Sequence, residues 1–336
     1  MESYSMTVQK RARIIGLGSY LPERILSNFD LEKIVDTNDE WISSRTGMKE
    51  RRIAAPDEFA SDMGREAALK ALQKSGVAAE EIDIILVATT TPDYMMPTTA
   101  NLIQAQIGAK KAAAVDFHAA CTGFLYGLSL AKAYIESGMY RNVLLIATEK
   151  MTAFVDYTDR NTCILFGDGA AAAVISGQGE GLLIGDVCLG SDGDQAHLIT
   201  LLGGGTRHPC SQESLKGGLH YFRMLGKEVF KHAVRRMTAA AETCISRASL
   251  QPDQIEWLIP HQANERIIDA VGKNFAIPTE KIYKTVHKYG NTSAPSAAIA
   301  LDELMQEHPI QENQNLLMVA FGAGLTWGAT ILTKCL

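Results

Sequence analysis

The second half of the chain repeats the order of elements found in the first, which restricts the fold to an architecture made from one α/β unit used twice. In the first half an apolar run at 81–87 is followed by a helical run at 98–107 and a short apolar strand at 113–117. Cys121-Thr122-Gly123 then opens a helix of small residues. In the second half a run at 254–259 is followed by a helical run at 264–275 and a predicted strand around 281–286. Asn291-Thr292-Ser293 opens another small-residue helix. Both copies close on a continuous apolar strand, at 142–147 and 315–320. The offset stays near about 170 residues, too long for a solenoid and suited to a duplicated domain. Two such units pack about a pseudo-two-fold axis, so sites form where equivalent strand ends converge.

Between these landmarks the pattern predicts strands at 14–19, 170–175, 182–189 and 325–332, and helices at 61–75, 226–247 and 294–306. Near-continuous apolar strands such as Ile84-Ile-Leu-Val-Ala88 require a sheet covered on both faces, hence a layered α/β fold. The stretches 151–161 and 191–222 have little periodicity, and long insertions in a compact α/β chain commonly border a site. The expected organisation is an N-terminal extension at 1–12, a first half at 13–180 and a second at 181–336.

Composition excludes several classes. With 336 residues, 46% of them apolar, the chain can bury a large core. A net charge of -6 argues against nucleic-acid binding through bulk electrostatics. The six cysteines are scattered without a CxxC pair, which suggests neither a zinc ribbon nor a disulfide framework and fits a reducing cytoplasm. No apolar stretch reaches the roughly 20 residues of a spanning helix, so membrane insertion is not expected. Gly16-Leu-Gly18 lacks the last glycine of a dinucleotide fingerprint, there is no GK[ST] phosphate loop, and no metal-ligand cluster is evident.

Cys121 follows an apolar strand and begins a helix, where the dipole and free N–H groups favour a thiolate. That makes it a candidate nucleophile, although an isolated cysteine is more often a small buried hydrophobe, the role expected for Cys163, Cys188, Cys244 and Cys335. His261 ends the apolar run 257–260, where α/β folds place ligand-facing groups. A structural role is expected for His118, His208 and His220. Asn291 taken alone reads as a helix N-cap after Gly290; within the duplicated frame it becomes the counterpart of Cys121.

Ala119-Ala-Cys121-x-Gly-Phe124, Pro260-His-Gln-Ala-Asn264, Gly290-Asn-Thr-Ser293 and Phe321-Gly-Ala-Gly324 closely resemble the active-site segments of the β-ketoacyl-acyl carrier protein synthase III family. The similarity continues through Gly18-Ser-Tyr-Leu-Pro22, Asp39-Glu-Trp-Ile42, Arg45-Thr-Gly47, Asp159-Arg160 and Phe166-Gly-Asp-Gly169, from about Arg13 onward. The resemblance implies a thiolase-like fold, a duplicated α/β unit in an αβαβα arrangement. It also implies a decarboxylating condensation of an acyl-CoA with malonyl-carrier protein, giving 3-oxoacyl-carrier protein, CO2 and CoA.

By the same resemblance Cys121 would carry the acyl group, while His261 and Asn291 would bind the malonyl thioester oxygen. The backbone N–H groups of Cys121 and Ala323 would hold the second oxyanion. Trp41 and Arg160 would sandwich the CoA adenine, Arg45 would bind CoA phosphates, and Asn264 would sit in the pantetheine tunnel. Lys231 and Arg266 would dock the acyl carrier protein; Lys227 and Arg235 share the Lys231 helix face. A homodimer is implied, and no cofactor, since the CoA thioester is a substrate. Met96 stands where many relatives have an aromatic residue that closes the partner's acyl pocket. Thr122, Ala323 and Asn161 also depart from common family residues, which bears on the starter, expected to be short, such as acetyl-CoA.

The runner-up is a specialised Cys-His-Asn condensing enzyme making a quinolone or polyketide-type product. A papain-like peptidase shares the residue order, but lacks the duplication and has different surroundings for its cysteine. A noncatalytic carrier-binding protein would have no need of all three residue types. Thiolases need a second cysteine absent from the 321–324 segment, and a hydroxymethylglutaryl-CoA synthase needs a carboxylate base that the pattern does not locate.

Overall fold

The computed structural model describes residues 11–335. Residues 1–10 of the expected extension lie outside that range, whereas Ala12 is fully buried and its carbonyl accepts from Ile184 N–H. Among the described residues the strands run as β1 (Arg13–Tyr20), β2 (Arg24–Ser27), β3 (Glu50–Ile53), β4 (Ile84–Ala88), β5 (Ala113–Phe117), β6 (Asn142–Glu149) and β7 (Gly169–Ser176). The second half adds β8 (Gly181–Ser191), β9 (Ile199–Thr200), β10 (Arg223–Met224), β11 (Ile255–Pro260), β12 (Asn315–Gly322) and β13 (Thr326–Cys335).

Nine of them form one sheet in the order β11-β12-β13-β8-β1-β7-β6-β4-β5. Read outward from its centre, β1-β7-β6-β4 in one direction matches β8-β13-β12-β11 in the other. β4 pairs parallel with β6, and β11 with β12, while the remaining neighbours within each set are antiparallel. The join between the sets is slight: β1 meets β8 at only two residue pairs, Arg13 with Leu183 and Ile14 with Leu182. The duplication read from the sequence is therefore present in four strands of each half, with β5 at one edge lacking a partner strand beyond β11.

Strand periodicity explains the layers, because successive side chains point to opposite faces. In β6, Leu144 and Ile146 pack beneath helices Ala60–Ser75 and Thr99–Ile107, while Val143, Leu145 and Ala147 face helix Gly123–Glu136. In β12, Leu316, Met318 and Ala320 face helix Ser296–Glu307 in that same middle layer, while Leu317, Val319 and Phe321 turn to helices Gly226–Arg247 and Glu265–Asn274. The result is the αβαβα stack. Among the described residues no helix is long and apolar enough to cross a membrane.

One predicted element is reduced. The strand expected around 281–286 is a 3-10 turn, Thr279–Lys281, followed by a single bridge between Ile282 and Leu258. The Gln262 side-chain oxygen then accepts from the N–H groups of Thr285 and Val286 at 2.8 and 3.0 Å, drawing the backbone off the sheet and into helix Val286–Tyr289. The helix predicted at 294–306 likewise starts later, as Ser296–Glu307, because Pro295 sits at its N-cap.

The paired glycines of β1 serve packing. A Cβ on Gly16 would lie 2.4 Å from Ala71 O, and one on Gly18 would lie 2.5 Å from Ala67 O, so the backbone of helix Ala60–Ser75 rests directly on the strand. Backbone cannot yield as a side-chain tip can, so Gly18→Ala is expected to cost about 1–3 kcal/mol by overpacking. A lower denaturant midpoint at unchanged m-value is the check.

Candidate active site

Cys121 sits on a single 3-10 turn, Ala120–Thr122, that leads into helix Gly123–Glu136. The residue before it, Ala120, has φ of 47°, a left-handed conformation that costs a residue with a Cβ on the order of 1–3 kcal/mol. A pair of hydroxyls from opposite halves holds this turn. Thr122 Oγ1 lies 2.6 Å from Ala119 O and 2.8 Å from Thr326 Oγ1, and Thr326 donates to Ala323 O at 2.9 Å. Gly322 at the end of β12 completes the contact: a Cβ there would lie 2.8 Å from Cys121 N and 3.1 Å from Cys121 Cβ.

His261 follows β11 and is held by its N–H donating to Val319 O at 2.8 Å. Its Nδ1 lies 2.5 Å from Ser296 Oγ, and that oxygen also accepts from Gln262 N–H at 3.3 Å. When the serine hydroxyl donates to Nδ1, the ring proton sits on Nε2. Burial pushes the imidazole pKa down to about 3, so the ring is a neutral donor throughout the neutral pH range.

Asn291 is pinned to the first half, its N–H donating to Leu165 O at 2.8 Å and its carbonyl accepting from Gly167 N–H at 3.1 Å. The side-chain oxygen accepts from Ser293 N–H at 2.8 Å, leaving the two Nδ2 hydrogens as its remaining capacity. Pro295 rather than Asn291 occupies the N-cap of helix Ser296–Glu307, so the Asn291 side chain closes its own turn instead of capping that helix.

Cys121, His261, Asn291, Gly322 and Ala323 all line one cavity of about 490 Å3. Its wall is apolar, with Met151, Phe154, Ile199 and Phe222 supplied by the two aperiodic stretches of the sequence. His118 also lines it. One correction concerns the thiol. The sequence suggests a dipole-stabilised thiolate, but burial dominates and pushes the Cys121 pKa up to about 12, against the lowering effect of a hydrogen bond to Ser293 Oγ at 3.5 Å. Among the described residues no group of three or more His, Cys, Asp or Glu is placed to hold a metal ion.

Two family models match the chain: 3-oxoacyl-[acyl-carrier-protein (ACP)] synthase III over residues 115–193, and the C-terminal part of the same family over residues 245–334. A β-ketoacyl-[acyl-carrier-protein] synthase III of Chlamydia muridarum is 56% identical over 325 residues, covering 96% of this chain and 99% of the relative. The chain belongs to the β-ketoacyl-acyl carrier protein synthase III family. The crystal structure of the synthase III of Aquifex aeolicus superposes with a TM-score of 0.88 at 44% identity, over 96% of this chain and 100% of that one. The priming β-ketosynthase of the R1128 polyketide pathway superposes at 0.89 with 36% identity, over 98% and 99%.

A synthase III is an acyltransferase of the condensing type, and the condensation that initiates fatty acid synthesis is its reaction. The thiolase-like fold follows from the same neighbours. The identities favour this assignment over a specialised polyketide-type enzyme.

The other residues given roles by the resemblance to synthase III lie outside the cavity. Asn38 caps helix Asp39–Thr46, which presents Trp41 and Arg45 one turn apart, and Arg45 lies 4.6 Å and Arg160 4.8 Å from the indole centroid. Asn264 caps helix Glu265–Asn274 through Arg266 N–H and donates to Arg45 O at 3.1 Å, tying the two helices together. Lys231 and Arg266 are exposed on adjacent helices, with Lys231 3.1 Å from Glu228. Met96 is 87% exposed and does not line the cavity of its own chain. Sequence reading missed Ser296, the partner of His261, and Glu149, a fully buried carboxylate behind Ser293. Glu149 is the only charged residue of the apolar strand β6, and that was the available signal.

Because a Cβ on Gly322 would press on the Cys121 backbone, Gly322→Ala is expected to slow reaction of the Cys121 thiol with an acyl donor by about 10²-fold, the scale of a small misplacement of a reacting group. Intact-protein mass against time, with circular dichroism to verify folding, measures it.

Proposed function

We propose that the starter is a short acyl-CoA such as acetyl-CoA, and that Cys121, His261 and Asn291 divide the condensation between them. Cys121 accepts the acyl group, so that one difficult step becomes two. Malonyl-carrier protein then enters, and loss of CO2 generates the carbon nucleophile without removal of a proton. Negative charge builds on the thioester oxygen, where His261 Nε2–H and Asn291 Nδ2–H meet it. The backbone N–H groups of Cys121 and Ala323 hold the oxyanion formed when the carbanion attacks the acyl group. The observation that carries this reading is the convergence of a thiol and two neutral donors on one apolar cavity. In such a dry site preorganised donors act at full strength, each being worth about 2.7–4 kcal/mol.

In this reading the halves 13–180 and 181–336 have separate duties, the first supplying the nucleophile and the second both donors. The CoA thioester is a substrate; its adenine rests on Trp41 once Arg160 swings off the indole face, its phosphates meet Arg45, and its pantetheine passes Asn264. Lys231 and Arg266 face the acidic carrier protein. Met96 reaches the acyl pocket of a partner subunit in a homodimer, and the setting is the cytoplasm. The cavity of about 490 Å3 accommodates more than an acetyl group, so the preference for a short starter rests on what the partner's Met96 fills.

Incubation with acetyl-CoA followed by malonyl-carrier protein tests the scheme by intact mass and CO2 release. An acetyl adduct is expected and is lost in Cys121→Ala. His261→Ala is expected to keep the adduct while malonyl decarboxylation falls by about 10²–10³-fold. Loss of acylation with decarboxylation intact in His261→Ala would reverse the assignment, and an adduct only with longer or branched acyl-CoA would replace the starter.

A further inference from the structure

The Cys121 thiol lies at one end of a chain of donors that reaches a carboxylate. Its S–H donates to Ser293 Oγ at 3.5 Å, and Ser293 O–H donates to Glu149 Oε1 at 3.3 Å. Glu149 is fully buried at the end of β6. Its other contacts are all with the turn after β4: Thr90 N–H at 3.1 Å to each oxygen, and the hydroxyls of Thr90, Thr91 and Thr89 at 2.9, 2.7 and 3.5 Å from Oε2. Lys150, next in the chain, turns its ammonium away to the carbonyls of Ala55, Pro56 and Glu58. The carboxylate is thus buried among hydroxyls without a counter-ion. Ser293 is held at φ of 62°, a conformation a residue with a Cβ rarely adopts, and there its hydroxyl spans the gap between thiol and carboxylate.

We propose that Glu149, acting through Ser293, takes the Cys121 proton during acylation, holds it while the acyl-enzyme awaits its second substrate, and returns it when the condensation expels Cys121. The proposal rests on Cys121 being the acylated nucleophile. In the first half-reaction the sulfur bonds to the acyl carbon and the bond to CoA sulfur breaks. The thiol proton passes to Ser293 Oγ as the serine proton passes to Glu149, and the CoA thiolate leaves to be protonated by solvent. In the second, decarboxylation supplies the electron pair that forms the new carbon–carbon bond, the bond to Cys121 sulfur breaks, and the stored proton returns along the same path. The cycle consumes one solvent proton, as release of CO2 from a malonyl carboxylate requires.

A carboxylate that ties down a threonine turn could serve packing alone, and pH dependence separates the roles. Burial pushes the Glu149 pKa up to about 7. The base form accepts the proton, so acylation should rise as pH increases through about 7 and level off above it. The titratable group facing Glu149 is Cys121 itself, protonated throughout this range; β7 presents Gly169 opposite Glu149, and neighbouring Asp168 is occupied by Thr152 and Ala54 N–H.

Single-turnover acylation by acetyl-CoA, followed by intact mass across the neutral pH range, is the experiment. Wild type is expected to show the step and an adduct absent from Cys121→Ala; no Cys121 adduct at all would instead overturn the nucleophile assignment beneath the proposal. Glu149→Gln is expected to acylate about 10²-fold more slowly at high pH and without the step. Ser293→Gly removes the hydroxyl at a φ that glycine tolerates, and is expected to lose the step as well. A folded variant of either kind that keeps the step, whether at full rate or uniformly slowed, overturns the proton path.

Discussion

Everything in this molecule depends on burying two helices, Gly123–Glu136 and Ser296–Glu307, between two sets of strands. Each helix is apolar around most of its surface because strands from both halves cover it, and Gly123, Ala294, Ala297 and Ala298 keep the layers close. At roughly 25 cal/mol per Å2 of apolar surface buried, this shared layer is a major favourable term in the structure. It also determines where chemistry can occur, since the segments entering both helices meet at one end of the stack. Cys121 enters one and Asn291 to Ser293 lead to the other. His261, at the end of a neighbouring strand, reaches the same place through Ser296 on the second helix.

Desolvation then sets the electrical state of the site. It raises the thiol pKa of Cys121, lowers that of the His261 imidazole and raises the carboxyl of Glu149, in every case toward the uncharged form. A protonated thiol and a neutral imidazole at rest suit a reaction whose charge appears on substrate oxygens only in passing. Oriented N–H groups in such surroundings stabilise that charge without having to reorganise.

Much of this was legible in the sequence because the repeat is written in apolar periodicity, which local physics converts directly into strands and helices. Helix Gly226–Arg247 and strand Ala113–Phe117 match their predicted bounds for that reason. The segment at 281–286 did not, since a tertiary hydrogen-bond partner, the Gln262 side chain, outweighed its local strand preference. The thiol's ionisation was misread on similar grounds: a helix terminus is visible in a sequence, whereas the burial that opposes it belongs to the assembled fold. Ser293 stood in the quoted motif without a role, because only the fold brings residue 149 within reach of residue 293.

The slight join at the sheet centre has a bearing on how the chain is made. β1 precedes the other described strands in the chain, yet its partners are β7 and β8, some 150 residues later. Until Gly169–Ser176 emerges, β1 has neither neighbour, and contacts of such long sequence separation are slow to form. The first half therefore closes late, shortly before β8 begins the second. With only two residue pairs joining them, each set of strands can align on its own before the middle helices lock the two together.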